Sequence, residues 1–165
     1  MKTLILLRHA KSSWDFPDLS DQDRPLNNRG KKDAPLIAEV LKKKNIKMDL
    51  IISSTSKRTM ETAKVFANTL NLKIIEDRNL YLASEPEIIR IVKKIDDCYD
   101  SVILVGHNPG MTNLINLVSN TGIDNLPTTG IIGIPVKNTW NNFGSEKCEI
   151  LFFEFPKKIK QDRIN

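Results

Sequence analysis

The chain has 165 residues, of which 40% are hydrophobic and 27% charged, and its formal net charge is +5 at pH 7. These figures are typical of one folded domain with a sizeable core, and they exclude a disordered acidic chain or a disulfide-rich miniprotein. No apolar run approaches the roughly 20 residues that cross a bilayer, so we expect a cytoplasmic protein without a membrane partner. Cys98 and Cys148 form neither a C-x-x-C redox motif nor a zinc motif, and we expect both to be at least half-buried.

Short apolar segments alternate with amphipathic ones along the chain. Runs rich in Ile, Leu and Val predict buried strands at residues 3–7, 50–52, 102–105, 131–136 and 148–155. Residues 73–75 are a weaker candidate for a strand. Apolar residues at helical spacing predict helices around residues 60–70, 88–95 and 111–118. Residues 28–44 show the same spacing, but Pro35 predicts a kink there or a late start near Asp33.

This alternation predicts the α/β class, as a three-layer sandwich whose mostly parallel central sheet is flanked by helices. We expect a single domain over residues 1–156. A basic tail would follow at 157–165, and termini of this composition usually fray.

Both histidines of the chain directly follow a predicted strand. His9 comes after the first strand and His107 after the strand at 102–105. Active sites of parallel sheets lie beyond the carboxyl ends of the strands, so both imidazoles are expected at one edge of the sheet. Arg8 precedes His9, and Arg58 follows the strand at 50–52, which adds two guanidinium groups there. Taken alone, Arg58 equally suits the surface of a helix.

Two histidines and two arginines without an acidic cluster suit phosphoryl transfer to a histidine nucleophile. Arginine binds phosphate oxygens bidentately and stabilises their charge where Mg²⁺ would otherwise be needed. One imidazole would attack phosphorus and the other would donate to a nonbridging oxygen. Nearby cations would help to keep the attacking nitrogen unprotonated. The sequence contains no P-loop, dinucleotide fingerprint, nucleophile elbow or zinc-protease motif that would indicate another chemistry.

The same residues carry a family resemblance. Arg8-His9-Ala10 resembles the Arg-His-Gly signature of the histidine phosphatase (phosphoglycerate mutase-like) superfamily. Further motifs are similar, in the same order, to the SixA-type phosphohistidine phosphatase branch, at residues 11–14, 23–26, 29–30, 53–63, 105–110 and 127–130. The resemblance implies that His9 is the phosphorylated nucleophile and that His107 completes its pocket. It also implies that Arg8 and Arg58 hold the phosphoryl oxygens and that no metal or organic cofactor is required.

The proton donor is the least defined part of the predicted site. Many relatives use a glutamate after the second arginine motif, and Glu85 is the candidate here. Glu87 is explained by a capping box with Ser84, and Glu85 also suits the first turn of a helix. A departing alkoxide needs a proton, whereas the imidazole of phosphohistidine leaves more readily. The weak acid position therefore favours phosphohistidine as the substrate.

Residues 11–28 show no periodicity and predict an ordered loop over the site. The family branch offers Lys11 and Arg24 as extra cations at the pocket mouth, although Arg24 equally suits a surface ion pair with Asp23. Trp14 and Phe16 are expected to anchor the loop by packing rather than to stack on a substrate.

The sequence therefore predicts a metal-independent phosphatase that works through a phosphohistidine intermediate and removes phosphate from phosphohistidine in a protein. A phosphatase of small phosphomonoesters or phosphoanhydrides remains open, as does a non-catalytic module that binds a phosphorylated partner. Nucleic acid is not an expected partner, because aromatic residues make up only 6% of the chain and no recognition module is present.

Overall fold

The computed structural model describes all 165 residues and contains six strands and five α-helices. The strands are β1 (Lys2–Arg8), β2 (Leu50–Ser53), β3 (Ile74–Glu76), β4 (Ser101–Gly106), β5 (Ile131–Val136) and β6 (Phe152–Glu154). The α-helices are α1 (Asn28–Lys43), α2 (Lys57–Leu70), α3 (Glu85–Lys93), α4 (Gly110–Val118) and α5 (Pro156–Ile164). None of them combines the length and apolar composition needed to span a membrane.

The six strands form one mixed sheet in the order β3-β2-β4-β1-β5-β6. Strands β1 to β4 pair in parallel, while β5 runs antiparallel to β1 and to β6. The predicted sandwich with a mostly parallel sheet is confirmed. In the centre of the sheet Arg8 of β1 pairs with Gly106 of β4. His9 and His107 therefore follow two neighbouring strands at the same level.

Helices cover both faces of the sheet, which explains why its central strands are apolar throughout. Leu4 and Leu6 of β1 belong to the core on the side of α3 and α4. Ile5 and Leu7 belong to the core on the side of α1 and α2. All four side chains are fully buried, because successive residues of a strand point to opposite faces.

Helix α1 begins at Asn28 and continues through Pro35, so the late start near Asp33 is wrong, while the alternative of a kink at Pro35 stays a prediction. The side chain of Asn27 accepts a hydrogen bond of 2.9 Å from the backbone N–H of Gly30 and caps the helix. Proline removes one helical hydrogen bond, but the helix buries an apolar stripe formed by Ala34, Ile37, Ala38 and Leu41.

The carboxyl-terminal region differs most from the sequence-based expectation. The strand predicted at 148–155 is limited to β6, and Cys148 makes an isolated bridge with Ser119 instead. The basic segment at 157–165, whose order the sequence left open, lies in α5, and its Lys160 donates to Asp33 of α1 at 2.8 Å. Cys98 is exposed rather than buried, whereas Cys148 is half-buried as expected.

Candidate active site

A cavity of about 260 Å³ at the carboxyl ends of the central strands is lined by Arg8, His9, Arg58 and His107. The other lining residues come from the surrounding loops and are Lys11, Ser12, Trp14, Asp21, Arg24, Leu82, Asn108 and Thr128. We call this space the catalytic cavity. A larger cavity of about 720 Å³ lies beside β2, β3 and α3 and contains none of the four predicted residues. Size alone would therefore have misplaced the site.

His9 is buried and fixed in one orientation. Its Nδ1 lies 2.8 Å from the backbone oxygen of Ala10. A carbonyl oxygen only accepts hydrogen bonds, so Nδ1 carries the proton and Nε2 keeps its lone pair. Burial lowers the pKa of His9 to about 3, the bond to Ala10 offsets part of this shift, and nearby positive charge adds to it. Neighbouring cations act in the expected direction, but burial is the larger cause.

His107 lies beside His9, with the two ring centroids 5.5 Å apart. Its Nδ1 is 3.3 Å from Nη2 of Arg58, and its Nε2 is 2.8 Å from Oγ of Ser54. Because a guanidinium only donates, Nδ1 accepts and Nε2 donates to Ser54. Burial, followed by the charge of Arg58, lowers the pKa of His107 to about 4. In this arrangement His107 orients Arg58, and the donation to a nonbridging oxygen stays a prediction that requires the other tautomer.

Arg58 is a buried cation and Arg8 a half-buried one, and both have unused donors. The side chain of Arg58 is only 3% exposed. Its Nη1 donates to the backbone oxygen of Asp21 at 2.6 Å, and its Nη2 donates to the carboxylate of Asp21 at 2.9 Å. Arg8 donates to the backbone oxygen of Leu126 at 2.9 Å. The Nε atoms of both arginines have no partner. Burial and then the charge of Arg58 lower the pKa of Arg8, and a bound oxyanion would relieve both effects.

Asp21 is the only acidic residue lining the cavity, and the sequence did not identify it. Its carboxylate accepts from the hydroxyl of Tyr81 as well as from Arg58, and it pairs with Arg24 at 3.3 Å. Partial burial would raise the pKa of Asp21, but hydrogen bonds from Tyr81 and Arg58 outweigh it and lower the pKa to about 2. The group is therefore an anion near neutral pH. No sequence spacing links it to Arg58, which lies 37 residues away.

Both extra cations predicted at the pocket mouth line the cavity. Arg24 pairs with Asp21 rather than with Asp23, and its guanidinium lies 3.7 Å from the ring centroid of Trp14. The prediction that Trp14 and Phe16 anchor the loop by packing is wrong, since they are 75% and 52% exposed. Polar contacts of Asp21 and Arg24 hold the loop instead.

Glu85 is not brought to the other predicted residues. It lies half-exposed at the start of α3 and does not line the cavity. The predicted capping box beside it is confirmed, because the backbone N–H of Ser84 donates to Glu87 at 3.0 Å. The structure gives Glu85 no contact from which it would protonate a leaving group in the cavity.

The chemistry of the cavity follows from its charges. Two neutral imidazoles lie among four cationic side chains and the single carboxylate of Asp21, which leaves a formal charge of +3. No group of three or more His, Cys, Asp or Glu side chains in the chain is arranged to hold a metal ion. This charge and the unprotonated imidazoles suit a small oxyanion and attack on it by a ring nitrogen.

Comparison with known proteins relates this geometry to one family. A family model described as the histidine phosphatase superfamily (branch 1) matches residues 4–81. The match includes Arg8, His9 and Arg58, whereas His107 lies outside it. Phosphoserine phosphatase 1 of Hydrogenobacter thermophilus is 45% identical over 83 residues, which cover 47% of this chain and 37% of that protein.

Solved structures of SixA proteins share the fold over nearly the whole chain. The protein from Agrobacterium tumefaciens has a TM-score of 0.79 at 26% identity, covering 94% of this chain and 98% of that one. The protein from Nakamurella multipartitia has a TM-score of 0.84 at 22% identity, covering 94% and 96%. The similarity therefore extends beyond the range of the family model and includes the strand that precedes His107.

Proposed function

Because the chain belongs to the histidine phosphatase superfamily, in its SixA-type branch, and is a phosphatase, we propose that it hydrolyses phosphohistidine in a partner protein through a covalent intermediate on His9. The observation that carries this proposal is the absence of a neutral acid from the catalytic cavity. The only carboxyl group lining it is the ionised Asp21, and Glu85 does not line it.

In the first step, Nε2 of His9 attacks phosphorus and the P–N bond of the substrate breaks. The substrate reacts with a proton from solvent on its other ring nitrogen, so the electron pair of that bond returns to an imidazole that leaves neutral. His9 becomes the phosphorylated imidazole, with its Nδ1 proton still held by Ala10. Phosphoryl transfer between two imidazoles needs no proton from the protein, so a cavity without an acid suits this substrate.

The arginines hold the phosphoryl group during the transfer. Arg58 is buried and Arg8 is half-buried, so their charges are less screened than on the open surface and act on the oxygens that gain charge in the transition state. The Asp21 carboxylate competes with the phosphoryl oxygens for Nη2 of Arg58, whose Nε has no partner. His107 keeps the guanidinium of Arg58 in place during the transfer.

In the second step, water attacks phosphorus and the P–Nε2 bond breaks. The electron pair returns to Nε2, and both protons of the water leave with the product as dihydrogen phosphate. His9 regains its neutral form without a proton transfer through the protein. The low pKa of His9 supports this cycle, because its lone pair is available across the neutral pH range.

A phosphatase of small phosphomonoesters is the second candidate. The local similarity to phosphoserine phosphatase 1 favours it, since 45% of 83 aligned residues are identical. The Tyr81 ring lies 5.3 Å from that of His107, so its hydroxyl is a neutral O–H group beside the site. It donates to Asp21, however, and burial followed by the hydrogen bond to that carboxylate raises the pKa of Tyr81. Protonation of a departing alkoxide would then require Tyr81 to leave Asp21.

The intermediate is tested by brief exposure to a radiolabelled phosphohistidine protein, followed by denaturation and mapping of the label. We expect an acid-labile, base-stable phosphoryl group on His9. His9→Ala should lower turnover by at least about 10³-fold, because the nucleophile is lost. Wild-type turnover in His9→Ala, or a label on another residue, contradicts the covalent mechanism.

The substrate class is tested by comparing kcat/KM for the same peptide carrying phosphohistidine or phosphoserine. We expect a preference for phosphohistidine of about 10²-fold or more, because only the serine ester needs an acid. A preference for the ester would favour the second candidate.

We also propose a cytoplasmic location, supported by the exposed free thiol of Cys98, which suits a reducing compartment.

A further inference from the structure

A second, basic cavity of about 460 Å³ lies next to the catalytic cavity. It is formed by the start of α1, the loop before β5 and the start of α5, and Thr128 lines both cavities. Its cations are Arg29, Lys157 and Lys160. The catalytic mechanism uses none of them, although the basic segment at 157–165 is prominent in the sequence. We call this space the basic cavity.

The cations of the basic cavity are only partly neutralised within the chain. The single carboxylate there belongs to Asp33, which is 3% exposed and pairs with Lys160 at 2.8 Å and with Arg29 at 3.8 Å. Lys157 is exposed and takes part in none of the ion pairs of the chain. Three cations face one anion, so the cavity keeps a formal charge of +2.

The backbone adds to this positive field. Phe155, Pro156 and Lys157 line the cavity and are the cap and first residues of α5. Phe155 offers no side-chain acceptor to the free N–H groups of the first helical turn. The start of a helix carries a partial positive charge, so an uncapped turn beside three cations favours an anion.

The position of the cavity connects it to the reaction. Arg29 donates to the hydroxyl of Thr128 at 3.4 Å. The neighbouring Thr129 donates its backbone N–H to the carbonyl oxygens of Arg8 and His9 at 3.1 Å. A substrate whose phosphoryl group lies against His9 therefore passes Thr128 when it extends from one cavity into the other.

We propose that the basic cavity binds a carboxylate-bearing stretch of the phosphorylated protein, next to the residue whose phosphoryl group enters the catalytic cavity. The proposal rests on the proposed function. A protein segment fits better than a compact metabolite, because Arg29 and Lys160 are 58% and 52% exposed and Lys157 lies on the open surface. Half-exposed cations along an open face are typical of recognition at the rim of a protein interface.

The test uses three phosphohistidine peptides that differ only in their flanks. One carries aspartates before the phosphohistidine, one carries them after it, and one carries serines on both sides. We expect the wild type to favour one acidic peptide over the neutral one by about five- to tenfold in kcat/KM at low salt, chiefly through KM. High salt should reduce this ratio, because exposed charges are screened.

Lys157→Glu should abolish or reverse the ratio between the acidic and neutral peptides. Lys157→Ala should reduce it, and Lys42→Glu is the matched control because Lys42 is an exposed lysine in the last turn of α1 that lines neither cavity. The control should keep the wild-type ratio. Equal kcat/KM for all three peptides in the wild type, or a ratio that Lys157→Glu leaves unchanged, overturns the proposal.

Failure of the proposed function would be visible separately, as slow hydrolysis of all three phosphohistidine peptides. The same three flanking sequences are then compared in peptides that carry phosphoserine instead of phosphohistidine. A preference for acidic phosphoserine peptides that depends on Lys157 supports the basic cavity while rejecting phosphohistidine as the substrate. Equal rates on the three phosphoserine peptides reject both the role of the basic cavity and phosphohistidine as the substrate.

Discussion

The catalytic cavity and the basic cavity have charge of the same sign but differ in the burial of that charge. Arg8 and Arg58 lie at the end of a buried strand and the start of a packed helix, and Arg58 is almost fully covered. The cations of the basic cavity lie on the surface of α1 and α5, where water reaches them. Buried charges act through a low dielectric and change chemistry, whereas exposed charges are screened and change affinity.

This difference also explains the state of the histidines. Burial is the first cause of the lowered pKa of His9 and His107, and the same burial strengthens the effect of the neighbouring guanidinium groups. The two histidines and Arg58 of the catalytic cavity are thus largely removed from solvent. Exposed cations suit the recognition of a flexible acidic segment, because the segment must enter and leave the basic cavity.

The largest expected effect comes from replacing a buried cation by another cation. Arg58→Lys should lower kcat/KM by about 10²- to 10³-fold, because lysine keeps the charge but loses the planar fork. Steady-state hydrolysis of phosphoramidate measures it. Lys57→Arg is the control in the same turn of α2, since Lys57 is exposed and lies outside the cavity. A loss below about fivefold would show that charge alone suffices at this position.

The second effect concerns proton binding by the buried rings. We expect both histidines to titrate at least one unit below the ordinary value of about 6.5. The chain contains only two histidines, so two Cε1–H signals report them in an NMR titration and His107→Asn assigns each. A midpoint near the ordinary value for either ring would contradict its burial.

The same shift makes stability depend on pH. The folded pKa values of about 3 and 4 lie below the unfolded value, so the unfolded chain binds more protons in between. The free energy of unfolding should therefore fall as pH decreases from about 6.5 towards 4, as urea denaturation would show. His9→Asn should make this dependence shallower.

A third prediction concerns the backbone behind the catalytic cavity. A Cβ atom on Gly30 of α1 would overlap the carbonyl oxygen of Lys11, two residues after His9. Gly30→Ala should therefore destabilise the fold by about 1–3 kcal/mol despite the better helix propensity of alanine. Gly122→Ala is the matched control, since no atom lies within 4 Å of its Cβ position. Equal unfolding midpoints in urea for the two variants would show that α1 shifts at no cost.

The smallest expected effect concerns Asp21, which lies between the buried Arg58 and the solvent. Asp21 is partly exposed, yet it competes with an oxyanion for Arg58. Asp21→Asn should therefore strengthen inhibition by inorganic phosphate about three- to tenfold, because one negative charge is removed. Asp23→Asn is the control, since Asp23 is exposed and bonds only to Ser20. Weaker inhibition in Asp21→Asn would mean that the carboxylate chiefly orients Arg58.

The sequence predicted the parts of the molecule that depend on local pattern. The alternation of elements predicted the sandwich, and the strand before each histidine located both rings at one edge. The errors lie where distant contacts decide the outcome. Pro35 does not delay α1, because the helix buries an apolar stripe. The sequence left the order of residues 157–165 open, and this segment lies in α5, whose Lys160 pairs with Asp33.

The roles of the site residues divide in the same way. The order of residues along the chain determined that two histidines and two arginines meet, because a strand end fixes the position of the next residue. Only the tertiary structure decided that Asp21 enters the cavity, that Glu85 stays outside it, and that the basic carboxyl-terminal segment lies beside the catalytic cavity. Each of these depends on contacts between residues far apart in the chain, and sequence periodicity carries no information about such distances.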